Sequence, residues 1–571
     1  MNALDWIVLL GAILGIAAYG TWRTRHTDKL DTYLKGGRTT GWFTIGLSVA
    51  ATQASTITYL SLPGQAYENG IAFIQNYFGL PLALILVCAV FLPIYRKLGV
   101  YTAYEYLGKR FDRKTRLLGA GLFLLQRGIQ AGITIYAPAI ILATVLGWRL
   151  DLTIVFTGLV AIVYTVTGGS AAVNLTQKLQ MAVIFGGMVT AFIVLLVKLP
   201  ADALPIAGAM GKLDAVNYTP DLKLRYTLWS GLLGGFFLSL SYFGTDQSQV
   251  QRYLGGASVR EGRLGLMFNA LLKIPMQFFI VMLGALLFVF YQFHASTPAV
   301  FNQTQWQRQV AGPDGARFRA LEDKHAALHA AQQEKIRAWA AAHEKGDATA
   351  EAAARAELTA AQRATVAARN EARAALQAAD PSAKRTKDSD YVFITFILTQ
   401  LPHGVIGLLI AVMFASALSS KAGELNALGT TTTIDLWRHF RPLAEHDEPR
   451  NVRNAKWFTA LWGLFAIGFA LFVSFQEDLI ESLNIVASIF YPALLGVFLV
   501  AFFLKWVRGS AAFWGMVTAQ LAIFAIYFAG KIWPAYEIGY LWLNPIGCAA
   551  CVLFSIFFQA LLPADIRTNH E

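Results

Sequence analysis

FASALSSKAGELNALGTTTTIDLW, residues 414–437, decides how this chain is read. It continues an apolar run, FITFILTQLPHGVIGLLIAVM at 393–413, yet carries three serines, Lys421, Glu424 and Asn426. Hydrocarbon penalises each unpaired polar group by several kcal/mol. A spanning helix that accepts such groups faces a watery path or an ion site. The stretch points to an all-α membrane protein that moves something small and polar.

Composition agrees. Of 571 residues, 56% are hydrophobic and only 14% charged, where soluble domains carry about 25% charged residues. The N-terminal MNALDWIVLLGAILGIAAYGTW lacks a positive region ahead of its apolar core and has Asp5 where lysines would sit. It reads as a retained first span and not a secretory signal. Hydropathy gives about thirteen spans of roughly 20 residues, at 3–22, 41–60, 71–95, 117–145, 151–167, 179–198, 227–246, 264–293, 404–437, 457–475, 480–503, 511–530 and 541–562.

The net charge of +12 lies mostly in short loops between spans, which argues for a lipid bilayer and against nucleic acid as the partner. The stretches 23–38, 95–116, 249–263 and 438–456 are basic and alternate with poorly charged loops. They are expected on the cytoplasmic side, with the N-terminus outside and the C-terminus inside a plasma membrane or bacterial inner membrane. Cys548 and Cys551, a CxxC in an apolar run, read as small side chains packed against a neighbouring helix.

One segment breaks the pattern. Residues 295–389 are polar and rich in Ala, Glu, Lys and Arg. From Gly315 to Ala379 they favour two helices, turning at KGDAT, with Asp347 or Thr349 as N-cap. This extracytoplasmic hairpin is either a solvated insertion or a lid or surface for docking another protein.

The residues offer no enzyme motif: there is no phosphate-binding GxxxxGK[ST], no GxSxG elbow and no metal-ligand spacing. An ion or the solute's own gradient must then drive transport. A hard cation such as Na⁺ needs oxygen ligands, supplied in membranes by hydroxyls and by carbonyls freed where a helix unwinds. LSVAATQASTITYLSLPG at 47–64 and SALSS at 416–420 offer both; singly, such hydroxyls more often bond a carbonyl one turn back. Arg127 stands about ten residues into its span, where an unpaired cation costs ~2.5 kcal/mol or more. Three readings stay open for it: snorkelling, an ion pair with Asp246 or Glu424, or capture of an anionic solute. Lys421 and Glu424 are expected to pair at i, i+3.

The chain resembles the sodium:solute symporter family. GGRTTGWFTIGLSVAATQAS, ITIYAPAIILATVLGW, YTVTGGSAAVNLTQKLQ, YFGTDQSQVQRYL and ALSSKAGELNALGTTTTIDLW carry the likeness, over nearly all spans except 295–389. The resemblance implies a LeuT-type fold of two inverted five-helix repeats, with one extra N-terminal helix and further C-terminal helices. The chain would then divide into 1–294 (extra helix, first repeat at about 41–198, start of the second), the 295–389 insertion, and 390–571 (the rest of the second repeat to about 503, then two helices).

The resemblance also implies a site for Na⁺ as coupling ion, formed by carbonyls of Ala51, Ala54 and Ser416 and hydroxyls of Ser419 and Ser420. Family solute positions map to Gln53, Thr58, Ser239, Lys273 and Asn484, with Tyr242 at a gating aromatic, and sialic acid carriers use an arginine on the Arg127 helix. Many members carry Thr-Asp where this chain has Thr176-Gln177. Losing that carboxylate removes the charge that offsets a second cation, so one Na⁺ per cycle is expected. The implied activity is Na⁺-coupled import of a small polar solute, preferably an organic carboxylate, by a monomeric unit. Import of a neutral solute, proton coupling through Glu424 or Asp246, and a transporter-like sensor remain alternatives; no filter-like loop or charged ring favours a channel.

Overall fold

The computed structural model describes residues 1–24, 41–294, 297–440, 448–473 and 477–562, and among them it is helical, with no strand. The basic stretch at 25–40, most of 438–447 and the C-terminal DIRTNHE lie outside the described residues, as do the side chains of Thr176 and Gln177. The main helices are α1 (Ala3–Thr24), α2 (Trp42–Gln53), α3 (Thr56–Asn69), α4 (Ile71–Leu98), α5 (Arg113–Leu146), α6 (Leu150–Lys198), α7 (Ser230–Gly244) and α8 (Gln247–Leu254). They continue as α9 (Val259–Phe293), α10 (Gly315–Glu344), α11 (Ala348–Ala379), α12 (Val405–Trp437), α13 (Glu448–Phe472), α14 (Leu479–Phe503), α15 (Gly509–Ile532) and α16 (Tyr540–Leu561).

Nine described helices are long and apolar enough to cross a bilayer. Ala3–Ile13, Leu150–Val166 and Ser230–Gly244 are shorter apolar runs, and α2 with α3 forms a broken one. The apolar stretches Leu150–Val166 and Gln180–Lys198 match the spans expected at 151–167 and 179–198 and lie in one 49-residue helical run, α6. One expectation needs correction. The stretch QVQRYL, expected in a cytoplasmic loop, is the buried helix α8. Its arginine and tyrosine misled the reading because they are satisfied inside the protein: Arg252 donates to Ser48 Oγ at 2.6 Å and Tyr253 to the Phe243 carbonyl at 2.9 Å.

Two breaks position the interior. Between α2 and α3 the helix unwinds at Ala54, whose ψ is 53°, and Ser55 is extended. The N–H of Thr58 bonds the Ser55 carbonyl, so Ala54 loses its helical donor. Threonine hydroxyls bridge the gap: Thr58 donates to the Gln53 carbonyl at 2.8 Å and Thr56 to that of Met413, on α12, at 2.5 Å. Between α7 and α8 the break falls at Thr245–Asp246, and Asp246 caps α8 by accepting from Ser248 N–H at 2.8 Å. Close backbone approach fixes α3: a Cβ on Gly64 would lie 1.9 Å from the Ser389 carbonyl oxygen, and one on Gly284 of α9 would lie 2.3 Å from that of Pro63.

The polar insertion is an antiparallel hairpin, α10 and α11. Its turn is capped by Asp347, which accepts from the N–H groups of Thr349 and Ala350. It leans on the helical body instead of standing free in solvent: Arg373 pairs with Glu68 at 3.1 Å and His329 bonds the Tyr291 carbonyl at 2.8 Å. On α16, the thiols of Cys548 and Cys551 are free, and Cys551 packs on Gly496.

Candidate functional site

Where α3 begins, a cavity of about 140 Å³ lies among α2, α3, α4, α5, α7, α9, α12 and α14. All seven sequence-selected solute residues line it: Gln53, Thr58, Arg127, Ser239, Tyr242, Lys273 and Asn484. The sequence reading missed Asn76, Gln130, Thr134 and Tyr491, which also line it. Gln130 had a signal, since it stands three residues after Arg127 on the same helix face. Tyr491 had none; an aromatic residue in an apolar run is the ordinary composition of a span.

Arg127 is buried and held on two sides. One Nη pairs with the Asp246 carboxylate and also meets the Tyr491 hydroxyl at 3.1 Å; the other lies 3.6 Å from Glu424. Of the three readings left open for Arg127, the structure supports the ion pair, and with both candidate acids. Lys421 pairs with Glu424 at 3.3 Å, as expected, and also donates to Thr134 Oγ and the Ala131 carbonyl. Thr134 in turn donates to Glu424 at 2.8 Å. These charges neutralise one another inside the wall.

The hydrogen-bonding groups left over in the wall are unequal. Gln53 Nε2, Asn484 Nδ2 and Arg127 Nε are buried donors without a partner, against one buried unpartnered acceptor, Asn76 Oδ1. Lys273 is 3% exposed, and its ammonium stands 5.2 Å from the Tyr77 ring centroid. Thr58 spends its proton on the backbone break. Tyr242 accepts from Gln249 Nε2 at 2.7 Å and lies under the Arg127 guanidinium. Among the fully enclosed polar atoms of the wall, donors without partners therefore outnumber acceptors.

Beside it, α12 presents the serine cluster. Ser419 Oγ is 2.7 Å from Gln180 Oε1, with the Ala415 and Ser416 carbonyls at 3.1 and 3.2 Å. Its single proton serves these acceptors, leaving its lone pairs unused. Ser420 is 6% exposed and its hydroxyl has no partner. An orphaned buried hydroxyl normally costs about 1–3 kcal/mol. The carbonyl freed at Ala54 is another such oxygen, and oxygen donors are what a hard cation such as Na⁺ takes. Gln180, on α6, was not singled out from sequence; its neighbour Gln177 was.

Two broken helices, α2–α3 and α7–α8, meet at an interior polar cavity, an arrangement that suits a secondary transporter of the LeuT-type fold. A solved substrate-bound, outward-open structure of a Na⁺-coupled sialic acid symporter has this fold, with a TM-score of 0.73, 22% identity and coverage of 98% of both chains. The sodium:solute symporter family model matches residues 33–313 and 370–519, and the chain belongs to that family. Na⁺ is the coupling ion that this membership brings. Among curated relatives, the sodium/sialic acid symporter of Proteus mirabilis (strain HI4320) is 24% identical over 93% of this chain and 90% of its own. The human sodium/iodide cotransporter is 33% identical over 46% of this chain and 41% of its own, and the human sodium-coupled monocarboxylate transporter 1 is 34% identical over 46% and 44%. The matched region spans less than half the length of these last two relatives.

Proposed function

We propose that this protein is a Na⁺-coupled symporter that imports a small organic carboxylate by alternating access, one Na⁺ per cycle. The observation that carries the solute class is the surplus of unpartnered donors, Gln53, Asn484 and Arg127 Nε, beside the Lys273 ammonium. A carboxylate brings acceptors and a charge, and a neutral hydrocarbon brings neither. The relatives' names fit: sialic acid, iodide and monocarboxylates are all anions or acids.

Carbonyls of Ala51, Ala54 and Ser416 and hydroxyls of Ser419 and Ser420 would hold the Na⁺, which supplies positive charge next to the solute and pins the unwound segment. Thr176-Gln177 offers no carboxylate to offset a second cation, which supports one Na⁺. The hairpin face would be outside and the basic loops cytoplasmic, in a plasma membrane or bacterial inner membrane. Each chain would work alone. Ion binding favours the outward state by the difference in its affinity for the two states.

The ion pairing of Arg127 with Asp246 and Glu424 favours a second reading, a neutral polar solute, because it removes the most obvious anion receptor. Charge movement separates the two. One charge crossing ~100 mV releases ~2.3 kcal/mol, so a neutral solute with one Na⁺ carries current and a monoanion with one Na⁺ carries none. In proteoliposomes with a Na⁺ gradient, saturable carboxylate uptake without current is the expected result. Inward current at one Na⁺ per solute would overturn the anion assignment, and Na⁺-independent, pH-driven uptake would overturn the coupling ion.

A further inference from the structure

We propose that the hairpin and the helical body together form a second binding site, separate from the central cavity, for a compact oxyanion: a small carboxylate or a phosphate. A cavity of about 280 Å³ lies between them, with His325, His329, Arg369 and Arg373 on the hairpin side and Tyr67 and Lys212 on the body side. Its charged wall residues are three cations, Lys212, Arg369 and Arg373, against one carboxylate, Glu68.

The cations differ in how far they are already used. Arg373 is committed to Glu68 and Asp388, each at 3.1 Å. Lys212 donates to the Glu68 carbonyl at 2.5 Å and sits over the Phe288 ring. Arg369 gives Nη1 to the Tyr67 hydroxyl at 2.6 Å and Nε to the Ala299 carbonyl at 3.3 Å, but its buried Nη2 makes no hydrogen bond. The nearest carboxylate to that nitrogen, Asp388, is 3.6 Å away.

The histidines differ in the same way. His329 is engaged by the Tyr291 carbonyl. His325, one turn earlier and 1% exposed, has a buried Nε2 with no partner. A buried ring nitrogen without a partner and a guanidinium nitrogen with no hydrogen bond, held only by the 3.6 Å ion pair to Asp388, thus belong to a wall whose lining residues are net positive. With His325 in its Nε2–H tautomer, an anion accepting from both would satisfy them at once, since guanidinium favours carboxylate and phosphate. The Gln332 side-chain oxygen, also unpartnered, would take a hydroxyl or protonated oxygen of the same ligand. No residue of the central cavity contributes to this wall, so the site does not depend on the transport reading.

The test uses the full-length protein in lipid nanodiscs, without Na⁺, in choline medium at constant ionic strength. Thermal stability and hydrogen exchange of the hairpin are followed while inorganic phosphate or succinate is titrated. A saturable rise in stability with slowed exchange in the hairpin is expected. A response to succinate alone identifies an organic carboxylate, and one to phosphate alone identifies the inorganic ion. The apparent Kd should weaken at least tenfold in Arg369→Gln and in Val366→Trp, which places a large ring at the half-exposed mouth of the cavity. Val366→Trp decides the matter if Arg369→Gln does not fold. A response that never saturates with either anion, or one that Val366→Trp leaves intact, overturns the proposal.

Discussion

Arg127 and Asp246 form a buried ion pair that ties α5 to the residue capping the second broken helix, and Tyr491 donates to the same carboxylate at 2.6 Å. Arg127→Gln leaves that carboxylate buried without its cation, which costs about 3–5 kcal/mol. A large fall in thermal stability is expected, partly restored by adding Asp246→Asn. An Arg127→Gln protein as stable as the parent, with only a raised KM, would reassign the arginine to the solute.

Ser420 makes no hydrogen bond in the protein, so Ser420→Ala should cost little stability in choline medium. Its effect should appear with Na⁺. Losing one oxygen ligand should weaken Na⁺ stabilisation by tenfold or more, on the scale of the ~1.5–3 kcal/mol of a hydrogen bond to a charged group. Comparing melting temperatures in Na⁺ and choline for Ser419→Ala, Ser420→Ala and the double variant measures this. Equal Na⁺ shifts in all of them would remove the serines from the ion site.

Lys273, Gln53 and Asn484 supply the unspent donors of the central cavity. Lys273→Gln should raise KM for a carboxylate at least tenfold while leaving KM for its uncharged amide analogue nearly unchanged. Asn484→Leu removes an orphaned donor and should be neutral or stabilising, again with a higher KM. Uptake kinetics with the acid and its amide check both. Equal losses for the two solutes would argue against charge recognition.

The hairpin should loosen in acid. Burial, and then the nearby Arg369 charge, push the His325 ring down to about 3 from the ordinary 6.5, and burial also lowers His329. Between those two values the unfolded segment binds a proton that the docked one refuses. Stability from His325 is therefore complete above pH 6.5 and falls, by up to about 1.4 kcal/mol per pH unit, as pH drops toward 3. Hydrogen exchange across 318–343 at pH 7 and pH 5, corrected for intrinsic rates, should show faster opening at pH 5, and His325→Leu should flatten the difference. An unchanged exchange ratio would contradict it.

Much of this was legible in local chemistry. A run such as 414–437 is too apolar for a soluble loop and too polar for a passive span, and the polar stretch 315–379 announced its helices and a cap at Asp347 or Thr349, of which the fold uses Asp347. The serine cluster and the Gln53–Thr58 stretch were visible because hydroxyls and amides stand out against hydrocarbon. The limits were also physical. QVQRYL looked solvent-facing because the partner of its arginine, Ser48, is remote in sequence, and within 47–64 neither glycine nor proline picks out Ala54 as the point of the break.

By itself, then, the sequence determined the membrane class, the helical segments, the family and which side chains were candidates, since hydropathy and polar outliers are local properties. Only the tertiary structure decided which candidates are spent and which are free. The terminal nitrogens of Arg127 are taken by Asp246 and Glu424, while Arg127 Nε, Ser420, Gln53, Asn484 and His325 retain unpartnered polar atoms. That distinction depends on which groups meet across helices far apart in the chain, and spacing along one helix carries no record of it.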